Sequence, residues 1–287
     1  MFRRIKTTLD MIKFEHTVFA LPFAFMGAFL AQRGIPDLDK LLWILIAMIS
    51  ARSVAMAFNR LVDMKIDARN PRTRERALPS GKISPVWVCW FIIFWAVVFV
   101  FASYNLNRLV FCLSPVALTI VMAYSYAKRF TWFTHIFLGI ADGIAPLAGW
   151  LAIKPVFGTV PLWLFAGVAF WVTGFDILYG CLDYDFDRKE GIYSIPARFG
   201  IKNALYISIF FHILTIICFF SVGVAARLTP VYFYGMVFIT LLLIGEHFII
   251  KPHDFSRINM AFFTINGFIG IAMFFLVALP VIPGWGR

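Results

Sequence analysis

Nine stretches of this chain are apolar for about the length a helix needs to cross a lipid bilayer. They run roughly over 14–32, 40–62, 85–104, 108–127, 132–153, 160–182, 203–226, 230–250 and 258–282. A helix rises 1.5 Å per residue, so about 20 apolar residues span the hydrocarbon core. There every backbone polar group must find its partner within the protein, which leaves helices or closed barrels. The runs are too long and too unbroken for barrel strands. We therefore expect an all-α, polytopic membrane protein, with nine transmembrane helices in one bundle and a single domain over 1–287. Composition agrees: 61% of the residues are hydrophobic and 14% charged, far from a soluble globular balance. The four cysteines, Cys89, Cys112, Cys181 and Cys218, fall in or beside apolar runs and read as packing thiols. The first run lacks a small-residue cleavage site, so it reads as a span and not as a removable signal.

The net charge of +11 lies in short loops between the runs. Membrane topology accounts for it better than a nucleic-acid partner, and none is expected. Lysine and arginine alternate along the chain: Arg3, Arg4, Lys6 and Lys13 lead, the next loop is nearly neutral, and the one after is arginine-rich. The rule that cationic loops stay inside puts the N-terminus in the cytoplasm of a bacterial inner-membrane protein. It also puts the two most acidic loops on that same side.

The first of these stretches is NRLVDMKIDARNPRTRERALPSGKIS, Asn59 to Ser84. Asn59, Asp63 and Asp67 are four apart and share one helix face. Arg69, Arg72, Arg74 and Arg76 follow. The second is DILYGCLDYDFDRKEG, Asp176 to Gly191, where Asp183 and Asp187 repeat the spacing ahead of Arg188 and Lys189. Mg²⁺ takes one or two carboxylates plus waters and substrate phosphate oxygens, and arginine forks bind further phosphate oxygens. Carboxylates and arginines gathered at one membrane face thus suggest a metal-bridged diphosphate. Tyr124 and Lys128 close the fourth run on one face. Asp185 reads as solvated. Arg52, Asp142, Asp176 and the Glu246–His247 pair lie inside runs, where charge is costly without a partner; structural pairing is the expectation for each. His16, beside Glu15, is ambiguous. Most of the 34 phenylalanines read as packing or lipid-facing, and some could line a channel for a long apolar substrate.

In NRLVDMKIDARNPRTRERALPSG the chain resembles the UbiA superfamily of intramembrane aromatic prenyltransferases. The family's N-x-x-x-D-x-x-x-D followed by R-T-x-x-R-x-L-P-S-G matches Asn59, Asp63, Asp67, Arg72, Thr73, Arg76 and Leu78 to Gly81. Its second D-x-x-x-D motif matches Asp183 and Asp187, with Lys189 and Gly191 after them and Asp176 and Tyr179 before. Its Y-x-x-x-K matches Tyr124 and Lys128. The resemblance implies Mg²⁺-dependent transfer of a polyprenyl group from its diphosphate to an aromatic acid, 4-hydroxybenzoate, in quinone biosynthesis. It implies that Asn59, Asp63, Asp67, Asp183 and Asp187 hold metal. Arg72, Arg76, Tyr124, Lys128 and Lys189 would then hold the diphosphate, with Asp183, Asp63 and Arg72 closest to the chemistry. The match is incomplete: Lys13 to Phe19 reads KFEHTVF without the family's proline and glycine, and Ala77 and Ser125 replace prolines. The first of these departures allows a different acceptor, a dihydroxynaphthoate of menaquinone synthesis. Two further classes compete, a transporter and a CDP-alcohol phosphotransferase. The charges favour neither, since they gather at one face and Asp142–Gly143 lacks the second family's pattern.

Overall fold

A computed structural model describes residues 2–12, 17–252, 254–258 and 260–282. Lys13, Glu15 and His16 lie outside the described residues. The described elements are all helical: α1 (Phe2–Met11), α2 (Thr17–Gln32), α3 (Leu38–Arg69), α4 (Pro85–Leu106), α5 (Arg108–Ala127), α6 (Thr134–Ile153), α7 (Thr159–Gly180), α8 (Tyr184–Glu190), α9 (Ile195–Phe199), α10 (Ile201–Ala226), α11 (Pro230–Ile249) and α12 (Asn266–Val281). Among the described residues seven helical segments are long and apolar enough to cross a membrane. The first and ninth apolar runs form shorter apolar helices. The ninth enters through a π-helical turn, Met260–Ile265, so its regular part is only 16 residues.

Two spans run on past the apolar boundary expected for them, and this positions the site. Helix α3 continues to Arg69, a 32-residue helix that carries Asn59 near the end of the expected span and Asp63 and Asp67 on its extension. It stops because Pro71 disfavours the helical region for Asn70, which sits extended at φ −84°, ψ 119°. Helix α7 passes through a short 3₁₀ turn, Cys181–Asp183, into α8. Gly191 ends α8 at φ +67°, a left-handed conformation that glycine adopts without Cβ strain.

Helix α6 is the centre of the packing. A Cβ on Gly139 would lie 2.2 Å from the Ala169 carbonyl oxygen of α7, and one on Gly143 2.8 Å from that of Phe165. Lipid tails are as apolar as leucine, so membrane helices associate through such close backbone approach. Buried Phe23, Met26, Leu164, Trp171, Phe219, Tyr232, Ile269 and Met273 join α2, α7, α10, α11 and α12 in one core. Outward faces stay apolar and exposed, as at Trp90, Phe94, Phe101, Tyr206, Phe210 and Phe248, which is what a lipid-facing surface requires. The N-terminal basic segment, expected only as a topology signal, forms α1. Met11 and Ile12 just past it are buried against Ala57, Leu78 and Val88, and Trp87 Nε1 donates to Thr8 Oγ1 at 3.0 Å.

Candidate functional site

The C-terminal ends of α3, α5 and α7 and the N-terminal end of α6 meet at one end of the bundle around a cavity of about 1130 Å³. Its mouth is polar, walled by Asn59, Asp63, Asp67, Asn70, Arg72, Arg76, Lys128, Asp183 and Asp187. Its depth is mostly apolar, with Phe23, Met48, Leu147, Val168, Trp171 and Phe175 in its wall. Both acidic stretches thus reach one chamber, as their common position in the charge alternation led us to expect.

Each acidic side chain at the mouth has a partner. Asp63 is 2% exposed. It accepts from Lys128 Nζ at 2.5 Å, Asn59 Nδ2 at 3.1 Å and Arg129 Nη2 at 3.3 Å. Arg76 Nη1 donates to both oxygens of Asp67, at 2.9 and 2.8 Å. Arg72 bridges the two halves: its Nε and Nη2 fork onto Asp183 at 3.0 and 2.5 Å, and its Nη1 reaches the Tyr179 hydroxyl at 3.1 Å. Burial opposes the Arg72 charge, but the hydrogen bond and attraction from Asp183 outweigh it and raise the guanidinium pKa. Asp187 accepts from Ser194 Oγ at 2.8 Å. Arg69 and Glu190 tie the ends of α3 and α8 together at 2.9 Å.

The donor set suits a hard cation: carboxylate and amide oxygens, no sulfur, and room for further ligands from a bound anion. Among the described residues no three His, Cys, Asp or Glu side chains form a ready cage. Such a cage is not needed where substrate phosphates supply oxygens.

Of the residues singled out in the sequence, Asn59, Asp63, Asp67, Arg72, Arg76, Tyr124, Lys128, Asp183 and Asp187 line this cavity, and Lys189 does not. Lys189 is exposed, as are Asp185 and Arg74. Arg52, Asp142 and Asp176 also line the chamber, deeper in. The Nε of Arg52 is buried and has no hydrogen-bond partner among the described residues. Glu246 instead joins a structural network, accepting from Asn266 Nδ2 at 3.0 Å, while Asn266 Oδ1 accepts from Trp171 Nε1 at 2.9 Å.

Arg129, noted in the sequence beside Lys128 at the end of the fourth run, reaches Asp63, and three contributors escaped the sequence reading. Asn70 donates to Asp183 at 2.9 Å and accepts the Arg72 backbone N–H at 2.9 Å; the Asn-Pro dipeptide was a signal for that turn. Ser194 on Asp187 and His135 on Asp176 carry no spacing signal of their own.

A profile of the UbiA prenyltransferase family matches residues 20–278. The chain is 26% identical over 244 residues, 85% of each protein, to a 4-hydroxybenzoate octaprenyltransferase of Vibrio atlanticus (strain LGP32). It is 28% identical over 254 residues, 88% of each, to one of Francisella tularensis subsp. novicida (strain U112). Among solved structures, the apo structure of a UbiA homolog from Aeropyrum pernix K1 superposes with a TM-score of 0.79 at 28% identity, covering 92% of this chain and 95% of that one. A UbiA homolog from Archaeoglobus fulgidus bound to GPP and Mg2+ gives 0.67 at 21% identity, covering 95% and 99%; at that identity the likeness speaks for the fold.

Proposed function

This chain belongs to the UbiA prenyltransferase family, an integral membrane prenyltransferase, and we propose that it transfers a polyprenyl group from its diphosphate to an aromatic acid, 4-hydroxybenzoate. The observation that carries the reading is the cavity itself. A lattice of paired cations and carboxylates sits at the mouth of this cavity of about 1130 Å³, and a largely apolar chamber lies behind it. An allylic diphosphate has the complementary shape and polarity, with a multiply charged head and a long apolar tail. The named activity of the relatives and the GPP and Mg2+ held by the fold neighbour support the same choice.

In this reading the carboxylates hold the cations in place until substrate arrives. Arg72, Arg76 and Lys128, now engaged by Asp183, Asp67 and Asp63, turn to the phosphate oxygens, with Tyr124 beside them. Asn59, Asp63, Asp67, Asp183 and Asp187 would hold Mg²⁺. When bound, Mg²⁺ supplies Lewis-acid neutralisation of the departing diphosphate. The cationic side chains face the same developing charge from fixed positions, the arrangement that lowers a barrier most. Trp171, Phe175 and their apolar neighbours keep water from the allylic carbocation. The acceptor's carboxylate has a natural partner in Arg52, whose Nε is otherwise unpaired. The departure at Lys13–Phe19 keeps a dihydroxynaphthoate as the second acceptor to test. We further propose one domain, with the site facing the cytoplasm of a bacterial inner membrane, as the alternation of cationic loops supports.

Membranes carrying the protein, given geranyl diphosphate, Mg²⁺ and either 4-hydroxybenzoate or 1,4-dihydroxy-2-naphthoate, should form product from one acceptor. Chelation should abolish product and restored Mg²⁺ should recover it. Product from the naphthoate alone would reassign the acceptor; product that survives chelation would overturn the metal reading. Arg52→Gln should raise KM for the acid. A lost hydrogen bond to a charged group is worth about 1.5–3 kcal/mol, or roughly 10- to 100-fold. Stabilisation of the protein by geranyl diphosphate should not change. An unaltered KM would remove Arg52 from the acceptor site.

A further inference from the structure

Prenyl transfer to a ring carbon requires a base. The allylic C–O bond breaks and its electron pair leaves with the diphosphate. Ring electrons form the new C–C bond, and the C–H pair returns to the ring as the proton departs. We propose that Asp176, oriented by His135, accepts that proton. The inference rests on the aromatic-acid reading above.

The other carboxylates at the mouth are committed. Asp63, Asp67 and Asp183 face cations, and Asp187 is held by Ser194 in a buried position. Asp142 lines the same deep chamber as Arg52. Among the described residues Asp176 has no lysine or arginine partner. Its Oδ2 lies 2.7 Å from His135 Nδ1, its side chain keeps 23% exposure, and it lines the cavity. It precedes Asp183 by seven residues, across the end of α7 and the 3₁₀ turn that follows, about 10 Å along the helix direction. An acceptor ring that attacks the carbon next to the diphosphate lies inward of the diphosphate, toward Asp176.

His135 is not placed to be the base itself. It is 4% exposed, and its Nε2 is buried without a hydrogen-bond partner among the described residues. That edge of the ring packs on Gly180, where a Cβ would come within 2.8 Å of His135 Cε1. An unsatisfied buried nitrogen costs on the order of 1–3 kcal/mol, and such a group in a functional cavity calls for an explanation. Here the ring is oriented by its other nitrogen. With a proton on Nδ1, His135 donates to Asp176 Oδ2 and leaves Oδ1 to take the proton from substrate. His135 is thus a positioning residue.

The test uses the full-length protein, geranyl diphosphate, Mg²⁺ and 4-hydroxybenzoate with and without ring deuterium. Asp176→Asn should lower kcat by about 10²- to 10³-fold, the range of general-base loss. It should leave KM for geranyl diphosphate and the thermal stabilisation by geranyl diphosphate unchanged. The deuterium isotope effect, near unity in the wild type, should rise to a primary value as proton removal becomes limiting. His135→Ala should lose rate in the same manner. His135→Asn, whose Nδ2 replaces Nδ1, should restore it; a purely structural role would not separate the two. An unchanged kcat or isotope effect in Asp176→Asn would overturn the proposal. Loss of geranyl diphosphate stabilisation would also overturn it, by moving Asp176 to the diphosphate site. Wild-type protein inert to 4-hydroxybenzoate would sink the acceptor reading instead, and the stabilisation measurement would still decide whether Asp176 stands apart from the diphosphate.

Discussion

Asp63→Asn is expected to lower turnover by about 10³-fold, the upper range for loss of one preorganised electrostatic group, while the protein stays folded. Asp63 is the hub of the site. It joins Asn59, Lys128 and Arg129 and is 3% exposed at its side chain. Removing the carboxylate costs the proposed metal a charged ligand and frees Lys128 and Arg129 from their shared anchor. Breaking a fully buried ion pair costs about 3–5 kcal/mol. Here the cations keep 25% and 32% side-chain exposure, so water screens much of that, and asparagine retains an oxygen for Lys128. Unfolding is therefore not the expected outcome. Thermal melts should show a near-normal ligand-free protein that geranyl diphosphate and Mg²⁺ no longer stabilise. Turnover within a few-fold of wild type would mean that the diphosphate site has been placed wrongly.

The same residues show what the sequence could and could not convey. Apolar run length sets helix length, so most spans were legible with their approximate bounds. The regular spacing of Asn59, Asp63 and Asp67 was legible because α3 continues as one helix through all three. The second motif reads differently in three dimensions. A 3₁₀ turn ends at Asp183, so Asp183 and Asp187 take separate partners, Arg72 with Asn70 and then Ser194. Lys189 follows Asp187 by two positions, about 200° around a helix, and faces away from the cavity that Asp187 lines. A local pattern cannot carry pairing between α3 and α8 across more than 100 residues, because that depends on how the spans pack. Nor did it mark His135, a lone histidine at the start of α6 whose meaning lies in its distance to Asp176. Arg52 was visible as a buried charge, but only the cavity reveals that its Nε lacks a partner.

That packing has a point where the smallest change should have the largest structural effect. Helices α2 and α6 cross with their backbones nearly touching. A Cβ on Gly149 would lie 1.9 Å from the Ala24 carbonyl oxygen, and one on Gly27 2.0 Å from that of Pro146. The obstacle in both cases is backbone, which cannot rotate away as a side chain would. A methyl group must push the two helices apart until carbon and oxygen regain van der Waals separation, and in a bilayer that contact is most of what holds them together. Gly149→Ala should therefore destabilise the protein by about 3 kcal/mol or more, at or beyond the upper range for overpacking. It should show as a lower thermal-inactivation temperature in detergent, before any effect on ligand binding. Activity should fall with it, since Ala24 and Gly149 both line the cavity. Gly245→Ala in α11 is the control: no atom of the described residues lies within 4 Å of its added Cβ. Alanine's better helix propensity, worth up to about 1 kcal/mol, should leave that protein as stable as the wild type or slightly more so. Equal melting of the two variants would show that α2 and α6 do not approach this closely, and would remove the physical basis for the central place given to α6.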